Sequence, residues 1–230
     1  LTIRSNWSRS SFNLYCFSHF QVYAIDFILM YICENNTIKL IVRVLIVDFY
    51  DSFTYNLKHY IEPLCESVKV VRDDQLDLSC LILFDKIILS PGPGLPFQTK
   101  NMFNVLNTIK GVKPVLGVCL GMQGIVEFEK GVLVQKKIKH GKQELINVNS
   151  NSILFDEMEK EQLIGLYHSW SVELHQKSKL MVTAKSKSDV IMAVESKELA
   201  LFGVQFHPES ILSPNGMKVI KNFLKFEMEN

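Results

Sequence analysis

From Arg43 onward, continuous apolar runs alternate with stretches whose apolar positions recur every three or four residues. Arg43-Val-Leu-Ile-Val-Asp48 is the first such run, the pattern of a strand buried on both faces of a parallel sheet. Asp51 or Ser52 can cap a helix whose apolar positions Phe53, Leu57, Tyr60, Ile61 and Leu64 share one face. Further strands are expected over 67–71, 86–89 and 114–118, with a helix over 100–109. The second half carries shorter strand-like runs near 163–167, 180–184, 190–194 and 201–206. A last helix is expected to start at Ser213-Pro214, a cap residue followed by proline at the first helical position. The alternation predicts one α/β domain, with a mostly parallel central sheet and helices on both faces. In such sheets ligands bind outside the carboxyl ends of the strands.

Residues 1–42 break this pattern. They hold eight of the 24 aromatic residues. The mostly apolar stretch from Phe12 to Cys33 has the length of a membrane helix, which needs about 20 residues. It also contains His19, Gln21 and Asp26, and a central aspartate costs about 2.5–3.5 kcal/mol on insertion. No small-x-small cleavage site follows the basic start at Arg4 and Arg9. The chain starts at Leu1 rather than Met, as a fragment or a translated upstream region would. Residues 1–42 are therefore set apart as an N-terminal extension, disordered or non-native, with a packed accessory segment or an anchor as alternatives. Residues 43–230 are read as the folded domain.

Composition adds exclusions. Lys plus Arg is 25 and Asp plus Glu is 24, so no overall field draws the chain to nucleic acid or an anionic membrane. Cys16, Cys33, Cys65, Cys80 and Cys119 are odd in number, scattered and without a Cys-x-x-Cys pair. A disulfide framework is not expected, and a reducing cytoplasm fits.

Gly117-Val-Cys-Leu-Gly121 ends an apolar strand with a glycine-flanked cysteine. The glycines allow a tight strand-to-helix turn that pushes Cys119 out of the sheet, as in nucleophile elbows of the Gly-x-Ser-x-Gly type. A helix N-terminus there favours negative charge, and its free N–H groups can receive an oxyanion. A buried structural cysteine is the competing reading. A thiol nucleophile needs a base, and the base needs an orienting group. Phe206-His-Pro-Glu-Ser210 offers both, with Glu209 able to reach back to His207 across one proline. A surface loop with an unrelated His and Glu is the alternative. His168, in Tyr167-His-Ser-Trp170, is the other histidine with suggestive neighbours. Ligand spacings such as His-Glu-x-x-His do not occur, so no metal site is expected. Ser90-Pro-Gly-Pro-Gly94 presents backbone N–H groups to a carbonyl or carboxylate, or is simply a stiff turn.

Taken in order, six segments carry a resemblance. They are Asp48-Phe-Tyr-Asp-Ser-Phe-Thr-Tyr-Asn-Leu57, Leu89-Ser-Pro-Gly-Pro-Gly94, Gly117-Val-Cys-Leu-Gly-Met-Gln123, His140-Gly-Lys142, Tyr167-His-Ser-Trp170 and Gly203-Val-Gln-Phe-His-Pro-Glu-Ser210. Together they resemble the class I glutamine amidotransferases, most closely the small subunits that serve anthranilate synthase and aminodeoxychorismate synthase. The resemblance runs from Arg43 to the C-terminus. It implies Cys119 as nucleophile, His207 as base and acid, and Glu209 as orienter. It also implies an oxyanion hole from the N–H groups of Leu120 and Gly94. Gly92, Pro93, Gln123, Ser169 and Trp170 would hold L-glutamine. Ammonia would pass to a separate chorismate-using large synthase subunit, making anthranilate or, alternatively, 4-amino-4-deoxychorismate. No cofactor is expected in this chain, and Mg2+ only in the partner. A non-catalytic partner-binding module and a stand-alone hydrolase are the competing classes.

The sequence departs from that pattern at several points. Phe49 stands where the family has Asn, and Met122 where His is common. Leu95-Pro-Phe-Gln-Thr-Lys100 lacks the two acids usual after Pro-Gly-Pro-Gly. Glu127-Phe-Glu-Lys-Gly131 is a residue shorter than usual and lacks a Gly-Gly pair. These differences bear on the partner interface and glutamine affinity, not on the three reacting residues.

Overall fold

A computed structural model describes residues 32–34 and 37–228 of the chain. The apolar stretch from Phe12 lies almost wholly outside the described residues, as does most of the proposed extension. Among the described residues, no helix is long and apolar enough to cross a membrane.

The first strand pair is short. β1 (Ile32–Glu34) runs antiparallel to the start of β2 (Thr37–Asp48). The strand expected from Arg43 therefore begins six residues earlier, and Leu40 and Val42 are buried in the core. β2 leads into α1 (Thr54–Ile61), then β3 (Cys65–Arg72), β4 (Lys86–Leu89), α2 (Met102–Ile109), β5 (Val115–Val118) and α3 (Leu120–Phe128). β6 (Val132–Val148), β7 (Glu161–Glu173), β8 (Met181–Ser186), β9 (Ile191–Ser196), β10 (Leu201–Val204) and α4 (Gly216–Lys225) complete the described elements.

One mixed sheet holds these strands in the order β1-β2-β4-β5-β10-β9-β8-β6-β7, with β3 on the other side of β2. β3, β2, β4, β5 and β10 are parallel, and the rest are added antiparallel. The inner parallel strands β2, β4, β5 and β10 carry the apolar runs, whereas the edge strand β3 keeps exposed Glu66, Ser67, Lys69 and Arg72. Val44 and Ile46 face one layer of buried residues with α1 and α4, and Leu45 and Val47 face the other with α2 and α3. Both faces being covered, no polar alternation is tolerated there.

Register aligns the strand ends. Leu89, Gly117 and Gly203 lie side by side across β4, β5 and β10. The segments that follow them therefore emerge on one edge.

Three expectations differ. α1 has Phe53, not Asp51 or Ser52, at its N-cap, and no side chain caps it. β6 was not foreseen, because Lys142 and Gln143 in its centre are exposed and no apolar run marks it. α4 starts at Gly216, three residues after Ser213. The Ser213 hydroxyl does not cap that helix. It accepts from the Gly165 N–H at 2.9 Å and donates to the His207 carbonyl at 2.6 Å.

Candidate active site

Cys119 occupies the turn between β5 and α3 with φ 52° and ψ −100°. A positive φ is strained for a residue with a side chain, and such strain persists only where the surroundings enforce it. Here the Cys119 N–H donates to the Val204 carbonyl at 2.8 Å, tying the turn to β10. Gly121 permits the tight approach: a Cβ there would sit 2.3 Å from the Leu89 carbonyl oxygen. The turn is thus an elbow, and the Cys119 side chain stands where α3 presents N–H groups that have no helical acceptor.

His207 follows β10 by three residues. Its Nδ1 lies 2.7 Å from Glu209 Oε1, and both side chains are shut off from solvent. The ring also interacts with the Cys119 thiol. Burial pulls the His207 pKa down, but the hydrogen bonds and charges of Cys119 and Glu209 outweigh it and push it up to about 10. Tyr167 and Phe53 pack their rings against His207 at centroid distances of 4.9 and 5.2 Å. The His207 N–H donates to the Gly165 carbonyl at 3.1 Å, so β7 holds the histidine from the other side.

Phe53 is placed by the segment after β2. The buried Asp48 carboxylate accepts from Thr54 Oγ1 at 2.8 Å and from the Tyr50 N–H at 3.0 Å. The Phe49 N–H donates to Ser90 Oγ at 2.9 Å, joining this segment to the Pro-Gly-Pro-Gly loop. Gly92 is required by that junction, since a Cβ there would meet the Phe49 carbonyl oxygen at 2.7 Å. Phe49 itself packs in the apolar layer under α2 and α3, and Met122 is fully buried against Gly203. Neither departure from the family pattern therefore touches the three reacting groups.

A cavity of about 440 Å³ opens over the elbow. Gly92, Pro93, Gly94, Cys119, Leu120, Gln123, Ser169 and Trp170 all line it, so the structure brings the sequence-selected pocket residues to one wall around the thiol. His207 and Glu209 stand behind Cys119 rather than in the wall. Leu95, Gln98, His140, Tyr167 and His168 also line the cavity and had been given no role. His140 and Tyr167 pair directly across β6 and β7, which explains how residues 27 positions apart meet here. Gln98 fills the space beside Gly94 and accepts the Leu95 N–H at 2.9 Å, where the family more often carries acids.

Gln205 was missed by the sequence reading. It is completely buried, and its Nε2 donates to Cys119 Sγ at 3.5 Å. It lies inside a quoted segment, one residue past an apolar strand, so its place at a strand end was the available signal. Among the described residues no group of three or more His, Cys, Asp or Glu is arranged to hold a metal.

Comparison with known proteins agrees with this geometry. The family description "Glutamine amidotransferase class-I" matches residues 45–226. The chain is 37% identical over 190 residues to "Anthranilate synthase component 2" of Lactococcus lactis, covering 81% of this chain and 96% of that protein. It is 36% identical over 185 residues to "Aminodeoxychorismate synthase component 2" of Klebsiella aerogenes, covering 79% and 98%. The fold is similar to a solved glutamine amidotransferase of Thermotoga maritima, with TM-score 0.64, 15% identity and coverage of 80% and 96%. A cysteine elbow, a buried His–Glu pair behind it and a match over most of the chain lead to one conclusion: this protein belongs to the class I glutamine amidotransferase family.

Proposed function

We propose that the chain is the glutaminase subunit of a chorismate-using synthase, and that Cys119, His207 and Glu209 act together. The observation that carries this reading is an elbow thiol that interacts with His207, which is itself paired with Glu209, beside a cavity with ample room for glutamine.

The chemistry follows from the arrangement. The Cys119 sulfur, as thiolate, attacks the side-chain amide carbon of L-glutamine held against Gly92, Gln123, Ser169 and Trp170. The N–H groups of Leu120 and Gly94 receive the oxyanion. His207, protonated well above neutrality, gives its proton to the departing ammonia and the C–N bond breaks. Water then attacks the γ-glutamyl thioester. His207 takes a proton from the water, and glutamate leaves with the thiolate restored. Glu209 keeps the ring turned toward sulfur.

Ammonia then passes to a separate large subunit. Tyr50, Tyr55, Phe97 and Ile211 support this, since each is more than half exposed and they come from the three segments that follow parallel strands β2, β4 and β10, Tyr55 from the first turn of α1. Exposed apolar side chains of this kind suit a protein contact. Anthranilate is the product we assign, with 4-amino-4-deoxychorismate as the alternative because relatives of both names match. No cofactor is assigned to this subunit. The reaction needs Cys119 as a thiol, which suits the reducing cytoplasm.

The test is glutamine-dependent product formation with each chorismate-using large subunit in turn. Cys119→Ser is expected to abolish glutamine use and leave ammonia-dependent synthesis intact. Retained glutamine use would refute the reading. Glutamine hydrolysis without product from either partner would refute the partner assignment alone.

A further inference from the structure

Gln205 is a polar residue with no exposed surface, set against Gln123 and the nucleophile, both of which line the cavity. Such a residue must have its polar atoms satisfied or it costs about 1–3 kcal/mol. Its partners define a directed chain. Gln123 Nε2 donates to the Trp170 carbonyl at 3.5 Å and to Gln205 Oε1 at 3.3 Å. Gln205 Nε2 then donates to Cys119 Sγ at 3.5 Å.

The direction of this chain is set by one group. A backbone carbonyl only accepts, so Trp170 fixes the amide of Gln123 with its nitrogen turned inward. That nitrogen requires an oxygen from Gln205. The Gln205 amide therefore has its oxygen toward Gln123 and its N–H toward sulfur. The reversed amide would set two nitrogens against each other at 3.3 Å.

An N–H aimed at sulfur favours the thiolate over the thiol, because the hydrogen bond strengthens as its acceptor gains charge. We infer that Gln205 is a positioning residue for the nucleophile, holding the Cys119 sulfur in its reactive orientation and favouring its ionised form, with its polarity set by Trp170 through Gln123. This rests on the reading of Cys119 as nucleophile. His207 faces the same sulfur and is itself backed by Glu209, while His140, His168 and Tyr167 are the other titratable side chains of the cavity. The contribution of Gln205 is distinguished from theirs by changing its amide alone.

The experiment is the pH dependence of Cys119 alkylation by iodoacetamide in the full-length chain, read peptide by peptide by mass spectrometry. Cys80, which is half-buried, serves as the internal reference. Gln205→Glu puts a negative charge beside the sulfur. Its reactivity midpoint is expected to move up by about one pH unit, with roughly tenfold slower labelling at pH values well below the midpoint. Gln205→Met keeps the volume without the donor and is expected to move the midpoint in the same direction by less. It also covers the case in which the buried glutamate prevents folding. If folded variants keep the wild-type midpoint, the proposal is overturned while the nucleophile reading stands. If Cys119 in the unmodified protein reacts no faster than Cys80 at any pH, both are overturned.

Discussion

His207 Nδ1 and Glu209 Oε1 are 2.7 Å apart, with a single proline between the two residues in the chain. Because Nδ1 is taken by the carboxylate, the ring's other nitrogen is the one left for the Cys119 sulfur. The carboxylate thus selects which edge of the imidazole does the chemistry, as well as holding its proton. Glu209→Gln keeps the size of the side chain and removes the charge. Glutamine hydrolysis is expected to fall roughly 10- to 100-fold, and the His207 pKa to move down from about 10. Steady-state kinetics and an NMR titration of the ring check both. Unchanged kinetics would remove Glu209 from the reaction.

The same histidine makes stability depend on pH. Folding raises its pKa from 6.5 to about 10, so its contribution is complete below pH 6.5 and is lost as pH climbs through 10. Lys86 works in the opposite sense. Burial pushes it down to about 8, so the cost of its enclosed charge is full below pH 8 and disappears toward 10.5. Comparing the wild type with His207→Gln cancels the lysine. The gap between their melting temperatures is expected to narrow from pH 7 to pH 10. A constant gap would show that the histidine's proton does not stabilise the fold.

The elbow leaves no room for a methyl group at position 121. Gly121→Ala brings Cβ to 2.3 Å from a backbone oxygen of β4, which cannot move aside as a side chain can. A loss above about 3 kcal/mol is expected, or no folded protein. Gly141→Ala is the contrast: φ is +64° but the space beyond is open, and about 1 kcal/mol is expected. Urea denaturation of the two variants should separate them clearly. Equal costs would mean that the elbow relaxes.

A chain beginning at Arg43 loses Leu40 and Val42, both buried, and the pairing of Leu40 with Cys65. A chain beginning at Thr37 keeps them. The shorter form is expected to be less stable by about 2–5 kcal/mol. Chemical denaturation of both forms measures the difference. Equal stability would place the working boundary at residue 43.

Ser213 connects His207 to β7 through a single hydroxyl. Ser213→Ala leaves the Gly165 N–H and the His207 carbonyl without that partner. A stability loss of about 1–3 kcal/mol is expected, together with a several-fold drop in turnover and little change in KM. A pure stability loss with full turnover would show that the hydroxyl does not position the histidine.

The sequence alone was enough to identify the inner parallel strands, because an apolar run covered on both faces reads the same wherever its neighbours lie. It also disclosed the elbow, since glycines around a cysteine at a strand end have few other uses, and the local His207–Glu209 pair, since two-residue spacing limits where the carboxylate can go. Distances across the fold were beyond its reach. Cys119 and His207 meet only because β5 and β10 are neighbours in register, a pairing decided by packing. β6 escaped detection because an exposed antiparallel arm carries no apolar signature, and His140 reaches the cavity only through that arm. Ser213 read as a helix cap because local preference favours it, yet the tertiary contact with Gly165 and His207 claims its hydroxyl. Gln205 lay in plain view within a motif, but its task depends on Gln123 and Trp170, which only the folded chain brings beside it. Local chemistry is written in neighbouring residues, whereas hydrogen-bond partners far along the chain are chosen by the whole sheet.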